Sequence, residues 1–214
     1  VLAGLINAAK VVDKKLSDLR IVINGAGASG LATAKLLANI GIKQITLVDK
    51  KGIIRNESNS LNHYQLDLAK TLNSNEIGMT LKDALIGQDV LIGLSVGNVV
   101  TEAMVQSMAD KPIIFALANP IPEIDPKIAQ KAGAAVIATG SSAYPNQVNN
   151  ILAFPGLFKG LLESKMKHFD LELELRIAKS LAGMISKPTA KNIVPSVFDK
   201  SVVKSVVAAV KQCK

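Results

Sequence analysis

The chain has 214 residues, 49% of them hydrophobic and 20% charged, with a formal net charge of +8 at pH 7. This length suits one large domain or one and a half small ones, and the composition excludes a disordered or fibrous polypeptide. No unbroken apolar run reaches the ~18 residues that a membrane helix needs, and aromatic residues for stacking bases amount to only 3%, so neither a membrane nor a nucleic acid is expected as a partner.

The chain opens at Val1 on an apolar segment through Ala9 that reads as a helix without a cap. It lacks a basic leader and a small-residue cleavage site, so it is not a secretory signal. The absence of an initiator Met makes the start read as cut and the chain as part of a longer protein. Short β-branched segments then alternate with helical ones, the pattern of parallel strands joined by crossover helices. Strands are expected at Arg20–Asn24, Gln44–Val48, Val90–Leu94, Ile113–Leu117 and Ala135–Thr139, each apolar on both faces as a doubly covered sheet requires. Helices are expected at Ser29–Asn39, Leu61–Leu72, Leu81–Leu85, Thr101–Ala109 and Pro126–Ala132, with Thr80 and Asp83 spaced as a capping box.

After Pro155 the pattern turns helical, with Leu173, Ile177, Leu181 and Ile185 on one stripe, and a last amphipathic helix runs from about Ser201 to Lys211. The lysines that cluster after residue 150, among them Lys159, Lys167, Lys191 and Lys214, read as a solvated basic surface. The single cysteine, Cys213, has no intramolecular partner and fits a reducing, cytoplasmic compartment. The organisation is one α/β domain with a mostly parallel, doubly wound sheet: a leading helix over 1–18, a core over 19–150 and additional helices over 151–214.

Ile21 to Asn24 runs straight into Gly25-Ala26-Gly27-Ala28-Ser29-Gly30, and a helix follows. The strand before, the helix after and the second strand ending at Asp49 give this G-x-G-x-x-G the context of a Rossmann dinucleotide fingerprint. Gly25 permits the turn, Gly27 admits a pyrophosphate, and Gly30 allows close helix–strand packing. Amides around Ala26–Ser29 would meet the phosphates at the positive end of the helix. Asp49 stands where a carboxylate accepts from the ribose hydroxyls, which favours NAD over NADP, although Lys50 and Lys51 beside it could neutralise a 2′-phosphate.

Later strands deliver Ser95 and Gly97, then Asn119, to the carboxyl ends of the sheet, where doubly wound folds hold ligands. Between Thr139 and Gly156, Asn146, Gln147, Asn149 and Asn150 place four amides within five residues. A buried amide without partners costs about 1–3 kcal/mol, so these side chains must cap backbone or hold a polar ligand. His63 and His168 are isolated, and Asp110, Glu123 and Asp125 do not form a convergent metal constellation.

Gly25–Gly30, Phe115 to Pro120 with Pro122-Glu123, and Tyr144 to Asn150 through Phe154-Pro155-Gly156 together resemble the cofactor domain of bacterial-type malic enzymes. Val194-Pro195-Ser196 with Phe198-Asp199 is similar to that family's C-terminal segment, so the resemblance spans the chain. It implies oxidation of L-malate at C2 by NAD or NADP, then decarboxylation to pyruvate and CO2 with a divalent Mg or Mn, in a homo-oligomer. It further implies that Asn119 serves the nicotinamide side and the substrate, and that Asn149 and Asn150 contact substrate or nicotinamide. The family's acid, base and metal ligands lie in a preceding domain, so neither catalytic nor metal residues are assigned here. Ser141 and Ala143 stand where many family members have Arg and Asp. A malolactic enzyme, an amino-acid dehydrogenase on the same fold, and a non-catalytic NAD-binding module remain open alternatives.

Overall fold

The computed structural model describes residues 1–55, 61–72, 78–166 and 168–212. Lys167, Cys213 and Lys214, named above, lie outside them. In chain order the described elements are α1 (Leu2–Val11), β1 (Arg20–Asn24), α2 (Ala28–Asn39), β2 (Gln44–Asp49), β3 (Gly52–Ile53), α3 (His63–Thr71), α4 (Leu81–Leu85), β4 (Val90–Gly93), α5 (Glu102–Gln106), β5 (Ile113–Ala116), α6 (Pro126–Lys131), β6 (Val136–Thr139), α7 (Phe154–Ser164), α8 (Leu171–Gly183) and α9 (Ser201–Lys211). The strands form one sheet in the order β3-β2-β1-β4-β5-β6, parallel except for the β2–β3 pair.

The sheet is covered on both faces, and strand alternation sorts the side chains between them. Ile21, Ile23, Ile92 and Phe115 share one core with Leu5 of α1, Leu37 of α2, Leu173 of α8 and Val206 of α9. Val22, Leu91 and Ile114 join Leu85 of α4, Val105 of α5 and Ala129 of α6 in the other. Ile21, Val22 and Ile23 are fully buried. At about 1.5–3 kcal/mol for each such side chain, β1 alone contributes as much as the net stability of a typical domain. That explains why β1 forms where its sequence places it.

Helix starts are fixed by side chains. Asn62 and Gln65 form a capping box on α3, and Thr80 with Asp83 forms the expected one on α4. Asp125 accepts from the amides of Lys127 and Ile128 on α6, which has Pro126 at its first position. Asp170 caps α8, settling helix over the strand that its Leu-Glu alternation also allows.

Three local expectations change. Helix α5 is shorter than Thr101–Ala109 because Thr101 is its cap and the chain leaves the helix at Ser107. Ile185 falls beyond the end of α8 at Gly183, so the buried stripe stops at Leu181. Segment Val1–Ala9 is not uniformly apolar in function: buried Asn7 donates from Nδ2 to Ala182 O at 2.9 Å and Ile193 O at 3.0 Å, tying α1 to the C-terminal part of the chain. Helices α7 and α9 approach closely at Gly156 and Gly160, where an added Cβ would lie 2.6 Å from Val206 and 2.7 Å from Val210.

Candidate functional site

The glycine turn connects β1 to α2. Gly25 has φ +123°, and an added Cβ would sit 2.5 Å from Leu94 O. At Gly30 it would fall 1.7 Å from Gly25 O, so this glycine lets the first turn of α2 close on the strand exit. Gly27 differs: among the described residues nothing lies within 4 Å of its added Cβ. The turn leaves an open space over that one residue.

That space faces a helix start with unengaged donors. Gly27 is the N-cap of α2 and no side chain among the described residues caps it; the first backbone bond of the helix runs from Leu31 N–H to Gly27 O at 3.0 Å. The N–H groups of Ala28, Ser29 and Gly30 therefore precede the helical ladder, and Ala28 and Ser29 are exposed. Unpaired amides at the positive end of a 12-residue helix make an anion site. A cavity of about 710 Å³ opens beside them, lined by Gly25–Gly27, Asp49, Lys50, Thr80 and Ser95 among others.

Asp49 ends β2 at the wall of this cavity, its Oδ1 accepting the Lys51 N–H at 2.7 Å. The short antiparallel β3, which the sequence did not announce, turns the chain back here. Gly52 at φ +114° packs where a Cβ would lie 1.9 Å from Met79 O, and Ile53 N–H donates to that same oxygen at 3.0 Å. The hairpin so pinned sets Lys50 and Lys51 against the cavity next to Asp49.

Ser95 and Gly97 leave β4, and Asn119 leaves β5. Ser95 Oγ accepts from Asn24 Nδ2 at 2.8 Å, joining the β4 exit to the glycine turn. An added Cβ at Gly97 would meet Ile121 O at 2.6 Å, so the two exit loops pack backbone to backbone. Asn119 is exposed, precedes a cis bond to Pro120, and lies over Gly140, whose added Cβ would come 2.8 Å from Asn119 Nδ2. Beneath these loops sits Glu123, completely buried, with Oε1 accepting from Ser95 N–H at 3.2 Å and Oε2 from Ala118 N–H at 3.0 Å. Burial raises its carboxyl above the ordinary range, outweighing the amide hydrogen bonds that pull the other way. The sequence offered this residue as a poor metal ligand and as part of the Pro122-Glu123 motif, with no role attached; its place after Asn-Pro-Ile-Pro was the available signal.

The amide-rich segment divides by burial. Asn146, buried and left-handed at φ +58°, donates to Ile137 O and Ala190 O at 2.9 and 2.8 Å and accepts from Ile193 N–H at 2.9 Å. It is fully occupied as a brace. Gln147 and Asn149 both donate to Gly140 O, at 3.5 and 3.3 Å, and Asn149 Oδ1 also accepts from Ile151 N–H at 3.1 Å. Asn149 thus keeps one donor hydrogen and one lone pair for a ligand. Asn150 is exposed, and no hydrogen bond engages its amide among the described residues. Gly140 joins Asn119 to Asn149, which sequence separation alone did not reveal. Ser141 and Ala143 form a turn of their own, with Ser141 Oγ accepting the Ala143 N–H at 3.2 Å.

Metal ligands do not converge here. Among the described residues no three His, Cys, Asp or Glu side chains group to hold an ion, Asp125 is committed to capping α6, and His63 and His168 are exposed. No helix of the described residues is long and apolar enough to cross a membrane.

A glycine turn over an uncapped helix, an acid at the end of β2 and polar loops at the strand exits define a dinucleotide-binding domain of the doubly wound class. The chain belongs to the malic enzyme NAD-binding domain family, which matches residues 1–213. It is 44% identical over 211 residues to the bifunctional malic/malolactic enzyme of Bacillus subtilis, covering 97% of this chain and 52% of the relative. Against the NAD-dependent malic enzyme of Geobacillus stearothermophilus it is 42% identical, covering 98% and 44%. The crystal structure of an NAD-dependent malic enzyme from Thermotoga maritima superposes with a TM-score of 0.93 at 41% identity, covering 98% of this chain and 56% of that one. The chain spans about half the length of these relatives.

Proposed function

We propose that this chain holds the dinucleotide for a decarboxylating malate oxidoreductase that converts L-malate to pyruvate and CO2. The observation that carries the cofactor reading is the open space over Gly27 beside the uncapped start of α2. Ala26–Ser29 hold the pyrophosphate, Asp49 the adenine ribose, and Ser95 and Gly97 flank the cofactor at the β4 exit. Asn119, Asn149 and Asn150 orient substrate and nicotinamide. Carboxamides suit that task because they direct hydrogen bonds without adding charge beside a carboxylate substrate. Bound NAD or NADP supplies the acceptor for the hydride from malate C2.

NAD is the favoured cofactor, supported by the carboxylate of Asp49, which would repel a 2′-phosphate. Acid–base chemistry and a divalent Mg or Mn belong, in this reading, to the part of the relatives' length that this chain does not cover. A homo-oligomeric state rests on the family resemblance alone, and a cytoplasmic location on the single cysteine. Isothermal titration of the chain with NAD and with NADP tests the cofactor reading; no heat from either at millimolar concentration sinks it. The relative named as a bifunctional malic/malolactic enzyme favours one second reading, conversion of malate to lactate without net redox change. Net NADH formation from malate by the full-length protein separates the two.

A further inference from the structure

The strand exits carry the ligand groups of the proposed function, yet nothing covalent holds one exit against the next. Three hydrogen bonds do so between the β4 and β5 loops, and two of them run to Glu123. Its Oε1 accepts from Ser95 N–H at 3.2 Å and its own carbonyl from Val100 N–H at 2.9 Å; the third joins Asn98 N–H to Pro122 O at 3.0 Å, while Glu123 Oε2 accepts from Ala118 N–H at 3.0 Å within the β5 exit loop itself. The carboxylate fits only because β4 ends on Gly93, where an added Cβ would lie 2.2 Å from Glu123 Cδ. Ser95 in turn accepts from Asn24 at the glycine turn, and Ala118 immediately precedes Asn119.

We propose that the Glu123 carboxylate is a positioning residue, whose two oxygens clamp the β4 and β5 exits at the spacing that Ser95 and Asn119 need to serve one dinucleotide. A chain of contacts thereby runs from the glycine turn through Ser95 and Glu123 to the Asn119 side of the site. A carboxylate is suited to the task, since it accepts at both oxygens, whereas a carboxamide or a neutral acid sets a donor against one of the two N–H groups. The proposal rests on the dinucleotide reading above.

The groups around Glu123 leave its protonation to burial and amides. Residues 90–100 of β4 and its loop and 113–122 of β5 and its loop contain no charged side chain. Asp125 is turned to the amides of α6, and Glu102 of α5 lies 3.8 Å from Lys131 of α6 at the surface. Because the folded carboxyl titrates above its ordinary value, the stability this group contributes is fully present below that value and is lost as pH rises through the raised one. Cofactor affinity is expected to run the opposite way, rising as the clamp ionises. A purely structural carboxyl would not separate the two trends.

The test follows the Ser95 and Ala118 amide resonances of the wild-type chain by NMR from pH 4.5 to 8, with titrations of NAD over the same range for wild type and Glu123→Gln. The expected result is one shared midpoint for both amides above the ordinary glutamate range, and wild-type affinity that falls roughly tenfold as pH drops through it. Glu123→Gln is expected to bind about tenfold more weakly at pH 8, with a flat profile. Separate midpoints, no titration of the amides, or wild-type affinity and pH profile in Glu123→Gln overturns the clamp. If the variant does not fold, the wild-type amides and the wild-type affinity profile decide. Failure of the dinucleotide reading shows differently, as no binding of NAD or NADP by wild type at any pH.

Discussion

Gly27→Ala and Gly30→Ala differ by three positions in one turn and should fail in opposite ways. At Gly27 the new methyl enters space with nothing within 4 Å among the described residues, on a backbone of φ −83° and ψ −170° that any residue adopts. Alanine is a poorer N-cap than glycine, but it also restricts the unfolded chain, and the two effects leave stability within about 1 kcal/mol of wild type. The methyl does occupy the approach of a pyrophosphate to the α2 amides. Loss of one charge-assisted hydrogen bond, about 1.5–3 kcal/mol, weakens binding roughly 10- to 140-fold. At Gly30 the methyl would stand 1.7 Å from Gly25 O, where ordinary contact begins at 3.4 Å, so α2 must back away from the turn. Such overpacking costs about 1–3 kcal/mol or more, which lowers Tm by roughly 2–12 °C in a chain of this size. Thermal melts with calorimetric titration of NAD read both variants. Wild-type affinity in a folded Gly27→Ala refutes the placement of the pyrophosphate over this turn.

Three further outcomes follow from the same geometry. Asp49→Ser removes the carboxylate but leaves Lys50 and Lys51 at the cavity wall, so the ratio of NAD to NADP dissociation constants should move about tenfold toward NADP, read by parallel titrations. Asp89, buried at the opposite end of β4, resists ionisation through burial, but the Arg20 guanidinium, the Lys14 ammonium and the Arg20 N–H outweigh this and hold its carboxyl below 3.8. Its stabilisation is therefore present above that pH and lost as pH falls through the lowered value; Asp89→Asn should cost about 1–3 kcal/mol in chemical denaturation at pH 7, discounted by the partial exposure of both cations, while leaving NAD affinity unchanged. Asn146→Ala strands Ile137 O, Ala190 O and Ile193 N–H and places Ala at φ +58°, so a loss of about 3 kcal/mol or more is expected, a drop in Tm of roughly 6–12 °C. A melt within 2 °C of wild type contradicts that bracing role.

What the sequence determined by itself was everything whose cause is local. The apolar runs at Arg20–Asn24 and Val90–Leu94 specify strands buried on both faces, the second ending one residue early at Gly93, and the Thr80–Asp83 spacing specifies a helix start. Gly25, Gly27 and Gly30 specify the tight strand–turn–helix because the three pieces are contiguous in the chain. The tertiary structure decided what depends on distant partners. Four neighbouring amides look alike in sequence, yet Asn146 is consumed by a partner 47 residues away while Asn150 stays exposed. Edge strand β3 has only two residues, paired with β2 and held from its other side where Met79 O receives Ile53 N–H. Glu123 stood in a motif without an assigned role until folding set Gly93, Ser95 and Ala118 around its carboxylate. Local pattern records backbone preference and burial, whereas the pairing of a buried polar group is settled only when remote segments meet, because its free energy resides in the partner.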